Sequence, residues 1–283
     1  MNSLTFRSSS IAVLFALLAM LFASVAAAQD PPPIEQEKEA EAPDESKSVK
    51  PDPPGLTRLA KDYDVWVDMK RKLVVVDGKI CLRRGPLEMF ACPKGTKEHE
   101  AVVAVNSPAQ FVHAGLLAVG AKAGHPVRFR PEYVAAEGTI VDIWVLWKDE
   151  RGENQKVRAQ EMVKNEETGK AMTYNWVFGG SGFWVDEETG ERHYHGDGGD
   201  FICVSNFSTA TLDLPVESSQ ANDALLFAAF TEKIPPMDTE VRLVLVPRIP
   251  RTPKASGDSS DPPKDEPAEP EAAPPEKDAG EPK

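Results

Sequence analysis

Both ends of this 283-residue chain lack the bulky apolar side chains that folding requires, which confines any core to the stretch between them. Residues 29–54 are built from Pro, Glu, Lys and Ala, and residues 251–283 repeat the style in RTPKASGDSSDPPKDEPAEPEAAPPEKDAGEPK. Such stretches cannot bury enough apolar surface to offset the entropy of ordering their backbone. Both are therefore expected to be disordered and semi-extended. They also hold most of the charge: 8 acids and 3 bases in the first, 9 and 5 in the second, or about −9 of the formal −13. What remains, residues 55–250, is mildly acidic and shows no basic stripe, so the electrostatic footprint of a nucleic-acid binder is missing. That length suits one domain.

Residues 1–28 read as a cleavable signal peptide. Arg7 supplies a positive start, Ile11 to Val25 an apolar run, and Ala26-Ala27-Ala28 the small-residue site, with cleavage expected before Gln29. An uncleaved anchor is the alternative, since the run approaches spanning length, about 18 residues. Its end in small Ala residues without a basic flank favours cleavage. No other stretch is apolar enough to span, so no stable membrane span is expected after processing. The expected location is outside the cytoplasm: periplasmic, cell-envelope or secreted. Three cysteines follow, Cys81, Cys92 and Cys203. An oxidising compartment permits one disulfide and leaves one thiol over, and sequence does not fix the pairing.

Within 55–250 the signals are mostly those of strands. Asp64-Val-Trp-Val-Asp68, Lys72 to Asp77, Lys79 to Leu82, Leu87 to Ala91 and Ala101 to Val105 are β-branched or alternating segments. Asp77-Gly78 reads as a hairpin turn, and Cys92 to Thr96 as another turn. Thr139 to Trp147 alternates cleanly, with Ile143, Val145 and Trp147 on one side, and Asp149 to Gly152 turns it towards Lys156 to Val163. Tyr174 to Phe178, Phe183 to Val185, Phe201 to Val204 and Val241 to Val246 complete the strands. One helix is convincing: Ser107 as cap, Pro108 at its first position, Phe111, Val112, Leu116, Leu117 and Val119 as its apolar face, and Gly120 at its end. The fold class is α+β, a mostly antiparallel sheet with one main helix packed on it, flanked by the disordered tails.

The run Leu87-Glu-Met-Phe-Ala-Cys-Pro-Lys-Gly-Thr-Lys-Glu-His-Glu100 resembles the bacterial YdjY-domain family, as do Trp176-Val-Phe-Gly-Gly-Ser-Gly182, Gly199-Asp-Phe-Ile-Cys-Val-Ser-Asn-Phe207 and Leu212-Asp-Leu-Pro215. The likeness covers about Asp64 to Pro247. It implies little about function, because the family is largely uncharacterised. An iron–sulfur label carried by some relatives needs four thiolates at short spacings, and this chain has three scattered cysteines.

Two stretches carry candidate chemistry. In His193-Tyr-His-Gly-Asp197 a strand period of two would put His193, His195 and Asp197 on one face, a donor set that suits zinc or another transition metal. The plain alternative is polar surface beside the Asp197-Gly198-Gly199-Asp200 turn. Lys94-Gly-Thr-Lys-Glu-His-Glu100 gathers Glu98, His99 and Glu100 with two lysines, enough for acid–base work if they converge. Its alternative is a solvated connection. Cys92 and Cys203 are candidates to join either site, as ligands or as a disulfide. Gly179-Gly180-Ser181-Gly182 is no nucleophile elbow, having neither the spacing nor a following helix. No catalytic constellation is complete and no cofactor is called for. The functional expectation is an exported, non-catalytic binding or structural module of the periplasm or envelope, its partner an envelope component or a small ligand. The alternative is a metal- or redox-linked protein built on His193, His195 and Asp197.

Overall fold

The computed structural model describes residues 50–218 and 226–249. The expected signal peptide, the acidic segment as far as residue 49 and the tail at 251–283 lie outside the described residues. The last residues of that acidic segment are described, and they lie on the domain. The Lys50 amide donates to Asp64 Oδ1 at 3.1 Å, and Trp66 Nε1 donates to Asp52 Oδ1 at 2.8 Å.

Eight strands close into a barrel: β1 (Leu73–Ile80), β2 (Met89–Pro93), β3 (Ala101–Val105), β4 (Ile140–Lys148), β5 (Trp176–Phe178), β6 (Ile202–Cys203), β7 (Leu212–Asp213) and β8 (Glu240–Pro247). Around the ring the order is β1-β8-β4-β5-β7-β6-β2-β3 and back to β1. Most pairings are antiparallel, as the alternation predicts, but β6–β7 and β2–β3 are parallel. Local patterns carry no information on which distant strands meet, so neither pair was legible in advance. Val65–Asp68 extends the sheet beside β1, and Asn154–Arg158 extends it beside β4.

The longest strands set the inside and outside. In β4, Val141, Ile143 and Val145 are fully buried, whereas Asp142, Trp144 and Leu146 between them are half-exposed. Each such aliphatic residue contributes about 1.5–3 kcal/mol on burial. The other half of the barrel is filled by aromatic rings, among them Phe90 and Trp176 with centroids 5.6 Å apart, and Phe178 and Phe201, all fully buried. Asp77-Gly78 is not the hairpin turn that its composition suggests. Both residues lie inside the eight-residue strand β1, where the chain leaves its pairing with Val65–Asp68 and takes up β3. The predicted strand from Lys156 to Val163 is likewise broken, its middle forming a single 3-10 turn at Ala159–Met162.

The helix, α1 (Ala109–Ala118), packs on β1 and on Val65–Asp68. Its C-terminus ends as expected: Gly120 adopts φ 101, its amide reaches Leu117 O, and the Ala121 amide reaches Leu116 O. This double bond pattern satisfies carbonyls that a helix end leaves orphaned. The N-terminus differs from expectation. Pro108 is the N-cap, and the Ser107 hydroxyl bonds to the Pro108 carbonyl, not to the first helical amides. Among the described residues no helix is long and apolar enough to cross a membrane.

Candidate functional site

The missing cap of α1 is supplied from 87 residues away. Strand Arg192–Tyr194 stops at Tyr194, and His195–Gly198 coils into a 3-10 turn. The period of two that would align His193, His195 and Asp197 is lost there. Asp197 is carried to the helix instead, where its Oδ1 accepts the Gln110 amide at 2.9 Å. Burial pushes the Asp197 carboxyl above its ordinary range, opposed by the Gln110 and Ala109 amides. The positive end of the helix favours the carboxylate in the same way. His193 lies flat on Trp184, with ring centroids 4.6 Å apart at 27°, and its Nε2 is 4.0 Å from Glu191. The His195 amide donates to Gly182 O at 3.0 Å. Among the described residues, no three His, Cys, Asp or Glu side chains are grouped so that they could hold a metal ion. Asp197→Ala is expected to cost about 1–2 kcal/mol, the usual loss of a cap, and Asp197→Asn much less. Urea denaturation of the two variants measures this, and equal losses would mean that the Oδ1 hydrogen bond is not what Asp197 contributes to the helix.

The second stretch does converge, but on different partners. Lys97 Nζ lies 3.0 Å from Asp200 Oδ1 and 3.7 Å from Glu100 Oε1, and 4.3 Å above the Phe207 ring. Burial disfavours its charge, but Asp200, Glu100 and Glu88 more than offset this and raise its pKa. Glu88, half-buried beside Glu100, is pushed up first by burial and then by that like charge. Glu98 turns away to accept the Gly95 amide at 2.7 Å, while His99 is 78 % exposed and 3.8 Å from Glu100. Among the described residues, no partner is common to His99, His193 and His195. Cys92 and Cys203 are buried together with Met89, Ala101 and Ala210, under Phe207. They are free thiols, as is Cys81. Burial pushes Cys81 up to about 12, Cys92 to about 11 and Cys203 higher than its ordinary range, so little reactive thiolate forms at neutral pH.

Sequence reasoning passed over Asp213, a fully buried acid on β7. Its Oδ1 accepts the Leu214 amide at 2.7 Å and Asn206 Nδ2 at 3.1 Å, while its Oδ2 has no hydrogen bond among the described residues. Burial pushes this carboxyl up to about 7, although Asn206 and the Leu214, Val127 and Phe207 amides favour its charged form. Asn206 Oδ1 in turn accepts the Ser218 amide at 2.8 Å and the Tyr133 hydroxyl at 3.3 Å. An acid between two leucines in Leu212-Asp-Leu214 was the signal available, since Asp is rarely buried unless paired.

The four stretches that carry the family likeness meet along one seam of the barrel. Glu88 O accepts the Val204 and Ser205 amides at 2.9 and 3.0 Å, and Trp176 Nε1 donates to Cys203 O at 2.7 Å. The Ser181 hydroxyl donates to Thr209 O at 2.6 Å, and Asn206 joins Asp213. Here β5, β6 and β7 are only two or three residues long. Side-chain and loop hydrogen bonds therefore do what longer ladders do elsewhere.

One feature faces solvent. Phe183–Val185 pairs only with Arg192–Tyr194, a two-stranded hairpin whose Phe183, Trp184 and Val185 are 44, 45 and 58 % exposed. The Arg192 guanidinium lies 3.8 Å from the Phe183 ring centroid. The root is fixed by the buried Tyr194 hydroxyl, which meets His113 Nδ1 at 2.9 Å, Thr211 Oγ1 at 3.0 Å and Gly180 O at 3.2 Å. The sequence marks Phe183 to Val185 as a strand, but the exposure of three successive apolar residues is invisible to an alternation rule.

A family model described as YdjY domain matches residues 65–246. No curated protein and no solved structure matches the chain.

Proposed function

The chain belongs to the YdjY domain family, and we propose that it is an exported, non-catalytic binding or structural module of the periplasm or cell envelope. The observation that carries this reading is the hairpin. Three large apolar side chains are about half exposed on a two-stranded hairpin, beside an arginine, and Trp, Phe and Arg are enriched at interfaces. The polar groups that might otherwise serve chemistry are occupied in holding the fold: Asp197 on the helix, Asp213 in the seam, Lys97 among its carboxylates.

The test has two parts. Mass spectrometry of the protein recovered from producing cells is expected to find an N-terminus at Gln29, in an extracytoplasmic fraction. Co-sedimentation with isolated cell envelopes is expected to fall at least about tenfold for Trp184→Ala, the loss typical of a central interface aromatic. An unprocessed cytoplasmic chain would overturn the export half. Envelope binding that is absent, or indifferent to Trp184, would overturn the binding half.

A further inference from the structure

We infer that the partner of the hairpin is a second copy of this chain, which receives it in the open groove at the far end of β4. This rests on the hairpin being a binding surface, as read above, and makes a second copy rather than an envelope component what it binds. The groove, about 610 Å³, is lined by Leu146, Trp147 and Val241 together with Lys50, Lys148 and Lys156. The acids in its lining are already taken: Asp77 holds Arg242 at 2.6 Å and Glu240 holds Lys50 at 3.1 Å. Lys148 and Lys156 have no ion pair among the described residues. Lys156 instead lies 4.2 Å from the centroid of the Trp144 ring.

The hairpin is the complement of this surface. Phe183, Trp184 and Val185 offer apolar area to Leu146, on the outer face of β4, and to the exposed part of Trp147. The turn beyond them carries Glu187 and Glu188, two carboxylates with no ion pair among the described residues, against Lys148 and Lys156, which no carboxylate pairs there. Matching potentials of this kind steer encounter and fix register.

One chain cannot satisfy itself. The hairpin rises beside Gly180 and Ser181, where Ile140 at the start of β4 pairs with Val177. Lys148 closes the other end of that strand, eight residues or about 26 Å away at strand rise. The contact is therefore head-to-tail between copies, and such contacts either close into a ring or continue as a chain.

Sedimentation velocity of the purified chain over a range of concentrations tests this. The wild type is expected to associate reversibly. Trp184→Glu, which removes the projection, and the pair Lys148→Glu with Lys156→Glu, which reverses the groove's lysines, are each expected to weaken association at least tenfold. Both sets change exposed side chains, and unchanged thermal melting verifies that they fold. Mixed together, the two variants have one intact interface between them and are expected to form a 1:1 dimer and nothing larger. A charge exchange, Glu187→Lys and Glu188→Lys combined with the two lysine reversals in one chain, is expected to restore association. A wild type that stays monomeric overturns the inference, as does association indifferent to either set, or a mixture that forms no dimer. Trp184-dependent envelope binding by a monomer would sink the self-association alone. Self-association without envelope binding would sink the envelope reading alone.

Discussion

Raising the pH from about 4 to 8 is expected to destabilise this domain, and Asp213→Asn to remove most of that loss. The folded chain holds the Asp213 proton up to about pH 7, whereas an unfolded Asp releases it near 3.9. Between those values the native state binds more protons than the unfolded state, so stability falls as pH rises. The stabilisation is complete below about pH 4 and lost as pH passes through 7. A gap of about three pH units corresponds to about 4 kcal/mol at most. Glu88 and Asp197, also raised, act with the same sign. Asp142 is lowered, first by its bond from Arg248, and acts with the opposite sign, contributing stability above its unfolded value that is lost only in stronger acid. His113, lowered by burial, also acts with the opposite sign as pH rises towards its unfolded value, so an optimum on the acid side of neutrality requires Asp213 to outweigh it. Urea denaturation at one-unit pH steps measures the slope. Asn at 213 keeps an oxygen for the Leu214 amide and Asn206 but carries no titrating proton. If its slope between pH 5 and 8 equals that of the wild type, the carboxyl of Asp213 is not what titrates.

What the sequence revealed and what it hid divide along a physical line. Elements whose information is local were legible: the Schellman end at Gly120, the alternation of Val141, Ile143 and Val145, the five valines and alanines of β3. Contacts between distant residues were not. Asp197 was read with its neighbours His193 and His195, because nothing in its surroundings says that a helix 87 residues earlier lacks a capping side chain. The charges from Lys94 to Glu100 were visible in the sequence, but Asp200 and Glu88, which meet Lys97, are reached only through the parallel and antiparallel pairings of β2. Asp213 lies within the family-like run Leu212-Asp-Leu-Pro215, but nothing in that run indicates what it does. Its role depends on Asn206 and on a seam of short strands that no local pattern reveals.

Gly78 is where local and tertiary information conflict most sharply, and its replacement should be the most damaging single-methyl change in the barrel wall. Asp-Gly between apolar runs is a strong hairpin signal, yet here the strand continues through both residues. The reason is the closure of the ring. Gly78 sits opposite Val105, and a Cβ at position 78 would lie 2.4 Å from the Ala104 carbonyl oxygen and 3.0 Å from Val105 Cα. Those atoms are backbone and belong to β3, so no side chain can swing aside to make room. The added methyl must push β3 away from β1, and that pairing is the one that turns an open sheet into a barrel. Gly78→Ala is therefore expected to cost about 3 kcal/mol or more, in the range of overpacked and strained sites. Urea midpoints measure the loss, and amide exchange should quicken first at Ala104 and Asn106, the β3-side amides that face β1. Gly198→Ala is the matched control, since a Cβ there meets nothing within 4 Å. It should change stability by less than about 0.5 kcal/mol, the range of substitutions that touch nothing. Equal, small losses at both positions would mean that the barrel closes without the close approach at Gly78.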